Sequence, residues 1–161
     1  MKSTSTKVLN RYQFSQFVHE QQEQGKKVVF TNGCFDLIHF GHLDYLEKAK
    51  SCGDILVIGV NTDESVSRLK GSQRPISKEF DRARILAGLA CVDAVTLFDD
   101  DTPLKLIEEC TPNVLVKGSD YTIDQIVGAD VVTQNNGEVK TIDFVDGYST
   151  TSVIEKIKGL I

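Results

Sequence analysis

The stretch TNGCFDLIHFGHLDYLEKA, Thr31 to Ala49, sets two histidines around a glycine where a strand hands over to a helix. Just before it, Lys27–Phe30 reads KVVF, a short β-branched apolar run suited to a strand covered on both faces. Just after the histidines, Leu43, Leu46 and Ala49 recur at helical spacing and mark one apolar face. The pattern predicts a strand over Val28–Thr31 and a helix over Gly41–Cys52, with His39 and His42 at the junction. In α/β sheets ligands bind there, outside the carboxyl ends of parallel strands.

The same alternation continues outward. Further apolar, β-branched runs predict strands at Ile55–Asn61, Ala94–Phe98 and Val114–Lys117. Helices are expected between them at Thr62–Lys70, Lys78–Leu89 and Pro103–Cys110, the last started by Thr102 as cap and Pro103 in the first turn. A polar helix over Gln13–Gln24 carries Phe14, Phe17 and Val18 on one face. This rhythm implies an α/β, Rossmann-like, doubly wound parallel sheet. The expected division is an N-terminal extension with a helix, residues 1–26, and a single domain over 27–161. Asp130–Phe144 reads equally as a hairpin turning at Asn136-Gly137 or as a short helix stopped by Gly137 and followed by a strand.

A chain of 161 residues can bury a real core without disulfides or metals. Eighteen Lys and Arg against 23 Asp and Glu give a net charge of -5, which argues against a general nucleic-acid binder. No apolar stretch approaches a membrane span. The opening MKSTSTKVLN lacks the apolar core of a secretory signal, and the four cysteines form no C-x-x-C pair, so a reduced, cytoplasmic setting is expected. Cys52 and Cys91 read as core.

Neither G-x-x-x-x-G-K-[ST] nor G-x-G-x-x-G opens the first crossover helix, which removes the P-loop and the dinucleotide fingerprint. What stands there is Asn32-Gly33, then His39-x-Gly41-His42. A helix amino terminus is an anion site by virtue of its free N–H groups, and Gly41 permits close backbone approach. Histidines three apart share a side of a helix. Three readings follow: a pair of capping histidines, a zinc site from Cys34, Asp36, His39 and His42, or a nucleotide α-phosphate site. Downstream, Arg68–Arg84 holds six cations against Glu79 and Asp81, a basic island in an acidic chain that suits a small polyanion.

The H-x-G-H motif resembles the signature of a nucleotidyltransferase superfamily. Gly33-Cys34-Phe35-Asp36 stands at its G-x-F-D position, Asn61-Thr62-Asp63 at the polar turn after its second strand, and Ser149-Thr150-Thr151 at its S-T-T helix start. Within it, RLKGSQRPI (Arg68–Ile76), FDDDTPLKLI (Phe98–Ile107), VLVKGSDY (Val114–Tyr121) and DGYSTTSVI (Asp146–Ile154) are similar to the heptose 1-phosphate adenylyltransferases. These often form the second half of a bifunctional kinase–adenylyltransferase, and a free-standing form is expected here.

The resemblance implies helix then strand for Asp130–Phe144, and ATP with Mg2+ and a heptose 1-phosphate as substrates. It implies catalytic roles for His39, His42 and Lys70, and no protein-bound metal. Nucleotide contacts are expected from Thr31, Asn32, Gly33, Cys34, Phe35, Gly41, Asp63, Lys117, Gly118, Asp120, Ser149, Thr150 and Thr151. Arg82 or Arg74 is expected to meet the leaving pyrophosphate, and a homodimer is the expected assembly. Related glycerol-phosphate cytidylyltransferases carry an arginine where this chain has Phe144, which speaks against CTP with glycerol 3-phosphate. A non-catalytic regulatory nucleotide-binding module is the alternative of another class. Lys70 precedes the small polar run Gly71-Ser72-Gln73, so Leu69–Ser77 is expected to be a mobile loop that closes on nucleotide.

Overall fold

The computed structural model describes residues 3–160. Five parallel strands, β1 (Val28–Gly33), β2 (Ile55–Asn61), β3 (Ala94–Phe98), β4 (Val114–Gly118) and β5 (Glu138–Ile142), lie in the order β3-β2-β1-β4-β5. Parallel strands need crossovers, and the apolar runs between turns supply them as helices on both faces. The order reverses between β1 and β4, so the crevice at their carboxyl ends is the expected ligand position. Strand β1 is paired on both sides, Val29 standing opposite Leu56 and Val114, which fixes the height of the β1–α2 junction.

One face of the sheet is covered by α2 (Phe40–Lys50) and α4 (Glu79–Gly88), which bury Leu46, Ala49, Ala83 and Leu86 against Val29, Leu56 and Ile58. The other is covered by α1 (Arg11–Glu23), α5 (Leu104–Cys110) and α6 (Ala129–Gln134), with Phe14, Val18, Leu106, Ile107 and Val132 packed on Phe30, Val57 and Leu115. Phe14 meets the Phe30 ring edge-on at 6.5 Å. Full burial of such a side chain stabilises by about 1.5–3 kcal/mol. The segment before residue 27 is thus built into the core, and Val8 adds a parallel bridge to Val95 at the β3 edge. Helices α3 (Asp63–Lys70) and α7 (Thr150–Lys158) flank the carboxyl edge, α3 capped by the Thr62 hydroxyl.

One open reading closes as the resemblance implied, and two expectations change. Asp130–Phe144 forms α6, a left-handed Asn136 and then β5, which runs parallel to β4 and so excludes the hairpin. Thr102 does not cap α5; Pro103 takes the cap position and no side chain bonds there, so the Thr102 hydroxyl is left over. Helix α2 begins at Phe40, one residue early, with His39 at its N-cap.

Candidate active site

The carboxyl edge opens into a cavity of about 540 Å3, within the range of small-molecule sites. Its centre is the β1–α2 junction. His39 sits at the N-cap in extended conformation, and its ring makes no capping hydrogen bond. It stacks on His42 instead, with centroids 3.9 Å apart and planes 30° apart, while Phe35 backs His42 at 5.4 Å. Capping therefore does not explain the pair. Nor does zinc: Asp36 is spent elsewhere, and among the described residues no three His, Cys, Asp or Glu side chains converge on one point.

Burial holds both imidazoles below their ordinary pKa, His42 at about 4 with His39 adding to the effect. At neutral pH they are neutral donors and acceptors rather than cations. Nδ1 of each, and Oδ1 of Asn32, are buried without a hydrogen-bond partner among the described residues. A buried polar atom left unpaired costs about 1–3 kcal/mol. Three such atoms clustered at one strand end are what a site awaiting a polar ligand contains.

The positive charge comes from three side chains on the cavity wall: Lys70 at the end of α3, Arg74 in the following loop, and Lys117 near the end of β4. Desolvation lowers Lys117 to about 8, although the nearby Asp120 pulls the other way. A lysine at that value loses its charge as pH rises through 8. If Lys117 holds an anion, the nucleotide KM should climb about tenfold per pH unit above that point, and Lys117→Arg should move the alkaline limb beyond pH 10. A limb unmoved in the Arg variant would remove Lys117 from the binding set.

Two buried charged groups brace the junction. Asp36 accepts from the backbone N–H groups of Ile76 and Ser77 at 2.7 and 2.9 Å and from Arg74 Nε at 2.5 Å. Leu69 and Lys70, expected in the loop, are the last turn of α3, so the loop is Gly71–Ser77; Asp36 pins its far end, and Gly71, Ser72 and Gln73 stand exposed between the two anchors. Arg82 is fully buried. It donates to the Ser77 carbonyl, the Cys34 carbonyl and Asp63 Oδ1, the last at 2.9 Å. The turn between them carries Phe35 at φ 47°, a left-handed conformation that an aromatic residue keeps only when its surroundings hold it.

The expected site residues therefore separate. Asn32, Gly33, Cys34, Phe35, His42, Lys70, Lys117, Gly118, Asp120, Thr150 and Thr151 line the main cavity. His39, Gly41 and Ser149 line a smaller one of about 220 Å3, which shares His42, Phe144 and Thr150 with the first. Ser149 also caps α7, its Oγ accepting from Ser152 N–H at 3.0 Å. Arg82 and Asp63 form an internal ion pair and do not reach the cavity, so neither is placed to touch a ligand. Thr31 is buried too, with its hydroxyl 2.8 Å from Tyr45 Oη, and meets the cavity only through that tyrosine. A basic residue four positions into an amphipathic helix looks like a ligand in sequence. Here it faces inward because Asp63 and two carbonyls need a donor.

Sequence reasoning passed over Tyr45, Asn61, Asp101, Thr102 and Tyr121, all on the cavity wall. Tyr45 had a signal, since it stands three residues after His42 on the same side of α2. Beyond β4 the wall sets Tyr121, Ile126, Val127 and Phe144 beside the polar Lys117, Asp120 and Gln125. Gly118 passes close under Phe144: a Cβ there would lie 2.1 Å from Cζ, so a side chain would require the half-exposed Phe144 ring to move.

Comparison with known proteins agrees with this geometry. Residues 30–156 match the cytidylyltransferase-like family. The chain is 54% identical over 156 residues to the bifunctional protein HldE of Citrifermentans bemidjiense, covering 97% of this chain and 32% of that one. It is 58% identical over 135 residues to the HldE of a Marinomonas species, covering 84% and 28%. It thus spans about a third of the length of the curated relatives it matches. Among solved structures it resembles a lipopolysaccharide core biosynthesis protein from Thermoplasma volcanium, with TM-score 0.59 and 27% identity over 78% of this chain and all of that one. Pantoate-β-alanine ligase from Francisella tularensis, at TM-score 0.60 and 16% identity over 94% of this chain and 76% of that one, shares the fold. With the stacked histidines at the β1–α2 junction and a family match spanning that junction and the whole sheet, the chain belongs to the cytidylyltransferase-like family and is a nucleotidyltransferase.

Proposed function

We propose that this domain transfers the adenylyl group of ATP to D-glycero-β-D-manno-heptose 1-phosphate, releasing pyrophosphate and giving ADP-heptose for lipopolysaccharide core synthesis. The observation that carries it is the stacked His39–His42 pair on a cavity whose wall also offers three cations and the rings of Tyr121 and Phe144. The HldE relatives and the four long sequence similarities support heptose 1-phosphate as acceptor. Phe144 supports ATP over CTP, because an apolar ring stands where cytidylyltransferases are expected to carry an arginine.

The chemistry is one displacement. A non-bridging oxygen of the sugar phosphate attacks the α-phosphorus, and that O–P bond forms as the bond from α-phosphorus to pyrophosphate breaks. The leaving pyrophosphate keeps the electron pair, and no proton need move. His42 and His39 donate hydrogen bonds to the α- and β-phosphate oxygens, while Lys70 and Arg74 offset the charge that builds on the transferring and leaving groups. The Cys34 thiol is no rival nucleophile: burial raises its pKa despite the nearby Lys70, Arg82 and Arg74, so it stays protonated. Magnesium belongs to this reading as the nucleotide's counter-ion, supplying charge neutralisation on the triphosphate. Its ligands would be phosphate oxygens, since the described residues form no carboxylate cluster to hold it.

The reaction draws on cytoplasmic ATP, and among the described residues no helix is long and apolar enough to cross a membrane. A homodimer completes the reading: Ile157 and Leu160, half or more exposed on and just beyond α7, are apolar surface for a second copy to cover. Sedimentation at micromolar concentration should give twice the chain mass, and a single-chain mass would remove the dimer.

The test of substrate choice is pyrophosphate release from ATP and CTP, each offered with heptose 1-phosphate and with glycerol 3-phosphate. ATP with heptose 1-phosphate should turn over fastest. Faster turnover of CTP with glycerol 3-phosphate would replace this assignment by the cytidylyl one, and no release from any pair would leave a non-catalytic module.

A further inference from the structure

A carboxylate borders the cavity in which phosphates are to bind, and its bonding explains how it can stand there. Asp36 lies in the β1–α2 turn with its side chain 1% exposed. Its Oδ1 accepts from the N–H groups of Ile76 and Ser77, and its Oδ2 accepts from Arg74 Nε. Both oxygens are spent, and the charge is matched by a guanidinium rather than turned on a polyanion. The carboxylate has nothing to offer a phosphate. The arginine does.

Arg74 is held from three sides. Its N–H donates to the Gly71 carbonyl at 3.0 Å, which closes a turn, and its carbonyl accepts from Ser67 Oγ at 2.6 Å, which ties it back to α3. With Asp36 on Nε, backbone and side chain are both fixed. A guanidinium carries five N–H donors in one planar fork, so fixing Nε sets the plane in which the other four point. Among the described residues Nη1 and Nη2 have no hydrogen-bond partner. Arg74 lines the cavity with its side chain 22% exposed, and those two nitrogens are what it has left to present. Donors fixed in advance need no reordering when an anion arrives, which is the condition for stabilising phosphoryl charge efficiently.

We propose that Asp36 and Ser67 are positioning residues: together they aim the two terminal nitrogens of Arg74 at a phosphoryl group, that of the leaving pyrophosphate or that of the acceptor. This role deepens the adenylyl-transfer reading and rests on it for the identity of the anion. Arg74 is the ligand, and Asp36 and Ser67 act only through it.

Wild type, Asp36→Asn, Arg74→Ala and the double variant are each titrated calorimetrically with magnesium pyrophosphate and, separately, with heptose 1-phosphate. Arg74→Ala leaves Asp36 its two backbone donors, Asp36→Asn keeps an oxygen for them, and melting curves check the fold. Arg74→Ala should weaken one of the two anions by about tenfold or more, the scale of a lost charge-assisted contact, and that anion is the one Arg74 holds. Asp36→Asn should weaken the same anion by about fivefold, although it removes a negative charge from beside it. In the Arg74→Ala background the same substitution should cause no further loss, because no guanidinium is left to aim. Tighter anion binding in Asp36→Asn, a fully additive loss in the double variant, or full affinity for both anions in Arg74→Ala would each overturn the role. Should Asp36→Asn not fold, Ser67→Ala replaces it in the same cycle. A loss of about threefold that vanishes without Arg74 then supports the role, and an unchanged affinity or an additive loss overturns it. Failure of the substrate reading shows differently: a wild type that binds pyrophosphate but not heptose 1-phosphate contradicts the choice of acceptor, and the pyrophosphate titrations still decide how Arg74 is held.

Discussion

Replacing His42 by alanine is expected to lower kcat by ~100-fold or more, the scale for deleting one preorganised donor to a developing phosphoryl charge. His42 lines both cavities, and its ring is held between Phe35 and His39. Because burial keeps it neutral down to about pH 4, its contribution is a directed hydrogen bond rather than charge. The kcat/KM profile should therefore show no inflection from His42 near pH 6.5, where an ordinary histidine titrates. His42→Gln, which carries a donor near the position of Nε2, should recover part of the loss. A His42→Ala enzyme with near-full turnover, or a wild-type acid limb near pH 6.5 that the substitution removes, would show that the ring does not act as a neutral donor.

Arg82→Ala should cost about 3–5 kcal/mol of stability, the usual penalty for stripping one partner from a buried charge network. The loss leaves Asp63 only the exposed Lys78 ammonium at 4.0 Å, and two carbonyls, of Cys34 and Ser77, without their donor. Against a total stability of about 5–15 kcal/mol for a domain, that is a large fraction. Arg82→Lys should not rescue it, since one ammonium cannot reach three acceptors set around a planar fork. Urea unfolding followed by circular dichroism measures the effect. An Arg82→Ala protein with an unchanged midpoint and only a raised ATP KM would instead make Arg82 the pyrophosphate ligand that its position in the basic segment suggested.

The fold was readable because apolar β-branched runs and helical spacing alternate without interruption from Val28 to Cys110, and a parallel sheet is what such alternation can build. The centre of the site was readable for a similar reason: a strand end, a glycine and a helix start lie within fourteen residues, so local sequence fixes their neighbourhood. Direction was harder. Arg82, Asp63 and Thr31 carry polar groups that point into the protein, and only the packing of α4 on β2 and the Tyr45 hydroxyl decide that. Thr102 reads as a helix cap in sequence, yet Pro103 takes that position and Thr102 stands on the cavity wall instead. The hairpin failed because its alternative buries Val132 and pairs β5 with a buried neighbour, a gain that turn propensity does not include.

The central claim is transfer of the α-phosphoryl nucleotide to a phosphate acceptor without a protein-bound intermediate. Incubating the enzyme with ATP labelled at the α-phosphorus and heptose 1-phosphate tests it most directly. The label should appear in a sugar nucleotide, with one pyrophosphate released per molecule formed and none of the label on the protein. Label recovered as AMP or on the protein, or transfer to the sugar of a γ-label instead, would contradict it.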